Sequence, residues 1–373
     1  MFEFYHLQIL NAQRAHIGNS GFSQRSGETR TGPEEKSKNS AALPMFQRWW
    51  RKTRRRIHRV EAENNIVVCS TVVKFKRTFI DWRVAGQGRN MQVGINLLCL
   101  AGFITEDHLP RLRQLKELGY DGVEVPVLTG EPAHYEWLAG ELDAIGLRRT
   151  STSVIPSPDA NPLSSDPEIR ARGLGHLDWI MECSLALRSE CIGGPFHAPI
   201  GHFTGSGPSA DEIRYGAEAH HKMAETARGH GIMLALEHLN RFETHFLNTM
   251  EQAKAYVDAV DHPSFTIMYD TFHANIEEQK QPRAIETISG HIGVLHISEN
   301  DRGIPGRGHI DFAEVFSAVR ETDYDGWVTL EAFGAGLPEL AAATRVWRPL
   351  FPDYDTLFAE SIDFIRAGWD AAA

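Results

Sequence analysis

Four apolar, strand-like runs in the second half of the chain each stop on a side chain able to bind a metal ion. Gly231 to Leu236 is followed by Glu237, with Glu243 beyond it. Phe265-Thr-Ile-Met-Tyr269 is followed by Asp270 and then His273. Ile292-Gly-Val-Leu295 is followed by His296, with Glu299 and Arg302 beyond, and Trp327-Val-Thr-Leu330 by Glu331. Carboxylates are rarely buried unless paired or bound to a cation. Any one of these acids, taken alone, reads more simply as a helix cap or a salt-bridge partner. All four positions together do not. Three acids gathered at one place would repel and lose their charge, and a divalent cation removes that conflict. Three carboxylates and one imidazole make a hard, oxygen-rich set that favours Mn2+, Mg2+ or Co2+ over structural zinc.

The chemistry of such a site can be written down. A metal that chelates a carbonyl and its neighbouring hydroxyl acidifies the C–H between them. Two carboxylates on opposite faces of that carbon can then remove a proton and return one. Glu243, His273 and Arg302 lie close to the four positions in sequence, and a cation with a neutral imidazole suits a polyhydroxy carbonyl substrate. His273 alone could equally be a core histidine bonded to a carbonyl. Arg302 sits in the Gly/Pro-rich turn Asn300-Asp-Arg-Gly-Ile-Pro-Gly-Arg-Gly308, where a loop salt bridge is the plainer alternative.

What must position these residues is a βα alternation that begins at Met91. Short apolar or β-branched runs start near Val93, Gly122, Arg149, Glu190, Ile232, Phe265, Ile292 and Trp327, with helical stretches between them. Thr105 reads as the cap of a first helix whose apolar face is Leu109, Leu112, Leu115 and Leu118, ended by Gly119. A helix over 210–228 is expected to end at Gly229, and a last helix over about 354–367 closes the ring. Eight such units in the 283 residues from Met91 onward fit a (β/α)8 TIM barrel, which typically needs about 250. A doubly wound open sheet is the runner-up, but its Gly-rich phosphate loop is missing after the first strand, which reads Leu97-Leu-Cys-Leu-Ala-Gly-Phe103. In a barrel the C-terminal strand ends share one mouth, so distant sequence positions become neighbours.

Charge divides the chain at the same place. Residues 1–90 hold 17 Lys and Arg against 7 Asp and Glu, leaving 21 of the 38 basic and 42 of the 49 acidic residues for the remainder. An acidic body argues against nucleic acid as the main ligand. The extension 1–90 contains the basic run Arg48-Trp-Trp-Arg-Lys-Thr-Arg-Arg-Arg-Ile-His-Arg59 and one strand-like run, Ile66 to Val73. It reads as a basic, low-order N-terminal extension or in-frame upstream sequence rather than a tether to an anionic surface. The domain reading is therefore an extension over 1–90 and a catalytic barrel over 91–373. Cys69, Cys99, Cys183 and Cys191 form no CxxC pair and suggest free thiols in a reducing cytoplasm. No apolar run approaches the roughly 18–20 residues of a membrane span.

Several stretches resemble the ketose 3-epimerases, the D-tagatose and D-psicose (allulose) 3-epimerase group of the xylose-isomerase-like barrel superfamily. They are Glu237-His-Leu-Asn-Arg-Phe-Glu-Thr-His-Phe-Leu-Asn-Thr249, Asp270-Thr-Phe-His-Ala-Asn-Ile-Glu-Glu278, His296-Ile-Ser-Glu-Asn-Asp-Arg302 with Pro305-Gly-Arg-Gly308, and Val346-Trp-Arg-Pro-Leu350. The resemblance covers about residues 91–370 and is densest after Glu237. It implies one Mn2+ or Co2+ held by Glu237, Asp270, His296 and Glu331. It places Glu243, His273 and Arg302 on the sugar's first three oxygens. It also makes Glu237 and Glu331 the acid/base pair, acting through a cis-enediolate.

Two loops depart from the pattern. The first βα loop, Asn96-Leu-Leu-Cys-Leu-Ala-Gly102, lacks the aromatics that wall the sugar in the epimerases resembled. Gly193-Gly-Pro-Phe-His197 keeps the glycines, but Pro199-Ile-Gly-His-Phe-Thr-Gly205 is the chain's own. His197 and His202 are either additional pocket groups or structural histidines, and His197 is carried as a substrate-binding candidate. The expectation is a metal-dependent isomerase that epimerises a ketose at C3, with a small sugar as partner, neither nucleic acid nor membrane, and a homo-oligomer (dimer or tetramer). The alternative is a metal-dependent lyase on a keto-sugar, of the 3-keto C-glycoside deglycosidase or keto-inositol dehydratase type, which admits a hetero-oligomer. An AP-endonuclease-like nucleic-acid enzyme is opposed by the acidic barrel, and a non-catalytic sugar-binding barrel by the two opposed glutamates.

Overall fold

The computed structural model describes residues 91–335 and 338–372. The extension 1–90, with its run Ile66 to Val73 and Cys69, lies outside the described residues. Eight strands follow one another: β1 Gln92–Ile95, β2 Gly122–Pro126, β3 Arg148–Thr152, β4 Cys191–Gly194, β5 Met233–Glu237, β6 Phe265–Asp270, β7 Ile292–Ile297 and β8 Trp327–Leu330. The helices that separate them are α1 Leu109–Leu118, α2 Pro132–Ile145, α3 Pro167–Leu187, α4 Ala210–Gly229, α5 Met250–Val260, α6 Thr271–Glu277, α7 Gln281–Thr287 and α8 Phe312–Arg320. After β8 come α9 Pro338–Thr344 and α10 Tyr354–Ala371.

All strand pairs are parallel, and β1 pairs with β8 while β2 to β8 pair in sequence order. The remaining seam, between β1 and β2, is joined by a parallel bridge from Asn96 to Glu124. At its other end Asp121 N donates to Val93 O at 2.9 Å, and Val93 N donates to Asp121 Oδ2 at 2.8 Å. The sheet thus closes into the expected (β/α)8 barrel, and every expected strand start holds to within one residue.

Helix ends differ in small ways. Thr105 caps a short 3-10 turn, Glu106–His108, and α1 proper starts at Leu109. Gly119 ends it in the left-handed region, at φ 95°. Gly229 remains inside α4, and Gly231, at φ 72°, makes the turn into β5 instead. The last helix runs on to Ala371 because Trp369 still has an apolar partner, meeting Phe316 edge-on at 6.2 Å.

Strand alternation decides what fills the barrel. Side chains on one strand face alternate sides, so residues two apart share a face. Ala235, Met268 and Val294 pack with Cys191 and Trp327 into a small apolar plug inside the ring. One step further along the same strands, the inward positions are Glu237, Asp270 and His296. The large apolar core lies outside the ring, between strands and helices, with Leu112, Leu115, Leu138, Ile180, Phe265, Phe316 and Phe358 fully or almost fully buried. Among the described residues no helix is long and apolar enough to cross a membrane. Cys99, Cys183 and Cys191 are buried free thiols.

Three histidines are folded into this core. Burial pushes His197 down to about 3, and His220 and His238 each down to about 4. In the unfolded chain they regain their ordinary value of about 6.5. The unfolded state therefore binds more protons than the folded state between those limits, and stability is lost as pH falls through that window. Each proton contributes up to about 1.4 kcal/mol per pH unit. Thermal unfolding followed from pH 7.5 to pH 4.5 should show a falling Tm, and a flat profile would contradict the buried neutral histidines.

Candidate metal centre

Glu237 is the last residue of β5 and Asp270 the last of β6. His296 is the penultimate residue of β7, and Glu331 directly follows β8. Register holds them level: Asp270 pairs with His296, His296 with Thr329, and Glu331 N donates to Ile297 O at 3.0 Å. One donor atom from each of the four lies within 4.8 Å of all the others, and all four side chains are buried.

Asp270 divides its two oxygens. Oδ1 caps α6, accepting from Phe272 N at 2.6 Å and His273 N at 3.2 Å. Oδ2 faces the cluster, 3.2 Å from Arg302 Nη1 and 3.7 Å from His296 Nδ1. Asp270 thus caps α6 with one oxygen and leaves the other in the group that could hold a metal ion.

Arg302 lies deeper than a loop arginine ordinarily does. Its backbone is left-handed, at φ 67°, held by Arg302 N donating to Glu299 O at 2.9 Å and Phe333 N donating to Arg302 O at 3.0 Å. Its guanidinium sits between Phe272 at 3.8 Å and Phe333 at 5.0 Å. Nη1 donates to Glu331 Oε2, to Asp270 Oδ2 and to Ser298 Oγ, the last at 3.0 Å. Glu299 builds the loop that makes this possible. Fully buried, it accepts from the backbone of Asn300, Gly306 and Ile310 at 2.9–3.2 Å. A Cβ on Gly308 would come within 2.4 Å of its carboxyl group, so only glycine lets the loop close.

His273 is tied down from its other side. Its Nδ1 lies 3.1 Å from Asn240 N and 3.0 Å from Asn240 Nδ2, while Nε2 faces Arg302 Nη2 at 3.1 Å and Glu237 Oε1 at 3.5 Å. A ring nitrogen that accepts a backbone N–H belongs to a neutral imidazole. Burial likewise holds His273 well below the ordinary range, against the pull of Asp270. Asn240 also donates to Glu243 Oε1 at 2.9 Å, so Glu243 is half-buried at the rim of the same group. His197 is completely buried with its ring on Phe246 at 5.4 Å, and neither of its nitrogens makes an aligned hydrogen bond. His202 is on the outer loop, its carbonyl 3.3 Å from His245 Nδ1.

Sequence reading passed over Asn96, Glu124, Asn240 and Ser298. Asn96 Nδ2 donates to Glu331 Oε1 at 3.1 Å, and Glu124 Oε2 lies 3.0 Å from His296 Nε2. No run of letters marks these residues, because each matters only through what the closed ring sets beside it.

The two glutamates experience opposite fields. Burial, then Glu331 and Asp270, push Glu237 well above the carboxylate range. Burial would push Glu331 up too, but Arg302 and His296 outweigh it and hold Glu331 well below. His296 is raised well above its ordinary value because Glu124 and Glu331 overcome its burial. The site gathers three carboxyl groups around one imidazole and one guanidinium. It matches a divalent cation in donor type, donor spacing and charge demand.

The chain matches the family described as xylose isomerase-like TIM barrel over residues 112–367. It is 31% identical over 284 residues to L-ribulose 3-epimerase of Mesorhizobium japonicum, covering 75% of this chain and 95% of that one. The D-psicose 3-epimerase of Agrobacterium fabrum is 32% identical over 251 residues, covering 65% and 84%. The chain belongs to the ketose 3-epimerases of the xylose isomerase-like TIM barrel family. A structure of D-allulose 3-epimerase from Methylomonas sp. with D-allulose superposes at a TM-score of 0.70, with 28% identity, covering 75% of this chain and 98% of that one. Family membership favours the isomerase expectation over the lyase alternative, and it coincides with a buried group able to hold a divalent metal.

Because Glu237 and His296 are both raised, a cation entering this ketose 3-epimerase site must displace protons. Titrating Mn2+ calorimetrically in buffers of different ionisation enthalpy should reveal net proton release, with affinity climbing as pH rises from 6 to 8. Affinity independent of pH would contradict that electrostatic picture.

Proposed function

We propose that this protein catalyses the C3 epimerisation of a ketose, with Glu237 and Glu331 as the proton carriers. The observation that carries the reading is the meeting of four donors from four separate strands in one buried group, with two glutamates held in opposite protonation tendencies. Environments that push two acids apart assign one as acid and the other as base. We assign the cation as Mn2+, with Co2+ or Mg2+ as alternatives, held by Glu237, Asp270, His296 and Glu331. When bound, it would polarise the substrate carbonyl and acidify the neighbouring C–H.

The protein's own groups then divide the work. One of Glu237 and Glu331 takes the C3 proton from one face and the other returns one to the opposite face, with Arg302 holding Glu331 in its ionised form. The substrate passes through an enediolate whose developing negative charge faces the Arg302 guanidinium. His273 is held by Asn240 and offers Nε2 to a sugar hydroxyl, and Glu243 lies beside it. Phe272 and Phe333 fix the guanidinium plane and exclude water from it. His197, buried against Phe246 and beside the backbone of Glu237, supports the pocket floor in this reading. Residues 91–373 are the catalytic part of the chain and 1–90 an accessory extension. The working assembly is a cytoplasmic homo-oligomer.

The protein incubated with Mn2+ and D-fructose, D-tagatose or L-ribulose in D2O should yield the C3 epimer carrying deuterium at C3. Glu237→Gln and Glu331→Gln should each reduce that turnover by at least about a hundred- to ten-thousand-fold, the span attributed to general acid–base work. Normal turnover in either variant defeats the assignment. Absence of exchange, with release of water or an aglycone from a keto-inositol or keto-glycoside, would turn the reading into the lyase.

Arg302→Ala separates binding from metal retention. Removing a positive charge from among the carboxylates leaves their demand for a cation intact, so Mn2+ should bind at least as tightly as before. Sugar binding should weaken and KM rise. Loss of Mn2+ on calorimetric titration of this variant would show that Arg302 supports the ligands rather than the substrate.

A further inference from the structure

The seam that closes the barrel carries two polar residues, and each reaches one member of the donor group. Asn96 and Glu124 form the bridge between β1 and β2. Asn96 touches Glu331, and Glu124 Oε2 lies 3.0 Å from His296 Nε2. Glu124 has no exposed surface, and neither of its oxygens makes an aligned hydrogen bond. A buried carboxylate left without a donor is strongly unfavourable. Among the described residues, His296 Nε2 is the cationic or imidazole group that pairs with it. The opposite ring nitrogen, His296 Nδ1, faces Glu331 Oε1 at 3.4 Å and Asp270 Oδ2 at 3.7 Å. The two nitrogens of one imidazole therefore address two different carboxylate environments.

Resting on the metal-binding reading above, we propose that Glu124 is a positioning residue which accepts the Nε2–H of His296 and so presents the Nδ1 lone pair to the cation. A neutral imidazole has one N–H and one lone pair, and a partner on one nitrogen selects which is which. A carboxylate in that role also orients the ring and raises its strength as a ligand. The fold supports this from two sides. The backbone bridge to Asn96 sets the height of Glu124 in the barrel. Gly193, on β4, borders it, a Cβ there standing at ordinary van der Waals contact, 3.4 Å from Glu124 Oε1.

Mn2+ titrations of wild type, Glu124→Gln and Glu124→Leu test the assignment, together with the visible absorption spectrum of each protein loaded with Co2+. Glu124→Leu should lose about 10- to 100-fold in Mn2+ affinity, the usual cost of removing such a partner. Its Co2+ bands should shift as the nitrogen donor is disordered. Glu124→Gln keeps an acceptor oxygen without the charge and should fall between the two. A merely structural Glu124 would lower the Tm of both variants and leave Mn2+ affinity and Co2+ spectrum at wild-type values, which overturns the proposal. Should Glu124→Leu not fold, Glu124→Gln decides: several-fold weaker Mn2+ binding supports the proposal and unchanged binding overturns it. Wild-type protein that takes up neither ion would sink the metal reading and this proposal together, whereas tight wild-type binding with unchanged variants sinks the proposal alone.

Discussion

Like-charge repulsion among three buried carboxylates is the constraint around which the mouth of this barrel is built. Glu237, Asp270 and Glu331 have donor atoms within 4.8 Å of one another and almost no contact with water. At about 4 Å and an effective dielectric constant of about 20, each pair of full charges costs about 4 kcal/mol. Three such pairs rival the whole stability of an ordinary domain, about 5–15 kcal/mol. Positive charge must therefore be supplied. Among the protein's own groups, Arg302 supplies it to Glu331 and Asp270, and His296 adds to it. A divalent cation would supply it most compactly.

That demand explains features that otherwise look unrelated. Arg302 adopts a left-handed backbone, stacks between two phenylalanines and is gripped by a loop which Glu299 ties together from inside. Asp270 gives one oxygen to the start of α6 and keeps the other for the cluster. The asymmetry between Glu237 and Glu331 follows directly, because Arg302 lies against only one of them. Burial and the two neighbouring acids raise Glu237, while Arg302 and His296 lower Glu331.

Much of the fold was legible in the chain. Strand starts were visible because each opens a short apolar or β-branched run between helical stretches, as in Ile232 to Leu236 or Phe265 to Tyr269. Helix ends were less so. Gly229 looked like a terminator but remains helical, since Gly231 provides the left-handed turn two residues later. The last helix outran its expected end because Trp369 finds Phe316, a contact that local periodicity does not contain.

The sequence by itself determined the donors: which residues carry charge, that each stands at the end of an apolar run, and that eight βα units can bring such ends to one side. It did so because those facts depend on residue type and local spacing alone. Tertiary structure decided the partners. Asn96 meets Glu331 through the pairing of β1 with β8, across 235 residues, and Glu124 meets His296 only inside the closed ring. The direction in which each glutamate's proton affinity moves was likewise beyond the letters, since it depends on which carboxylate Arg302 reaches once its loop has folded back across the mouth.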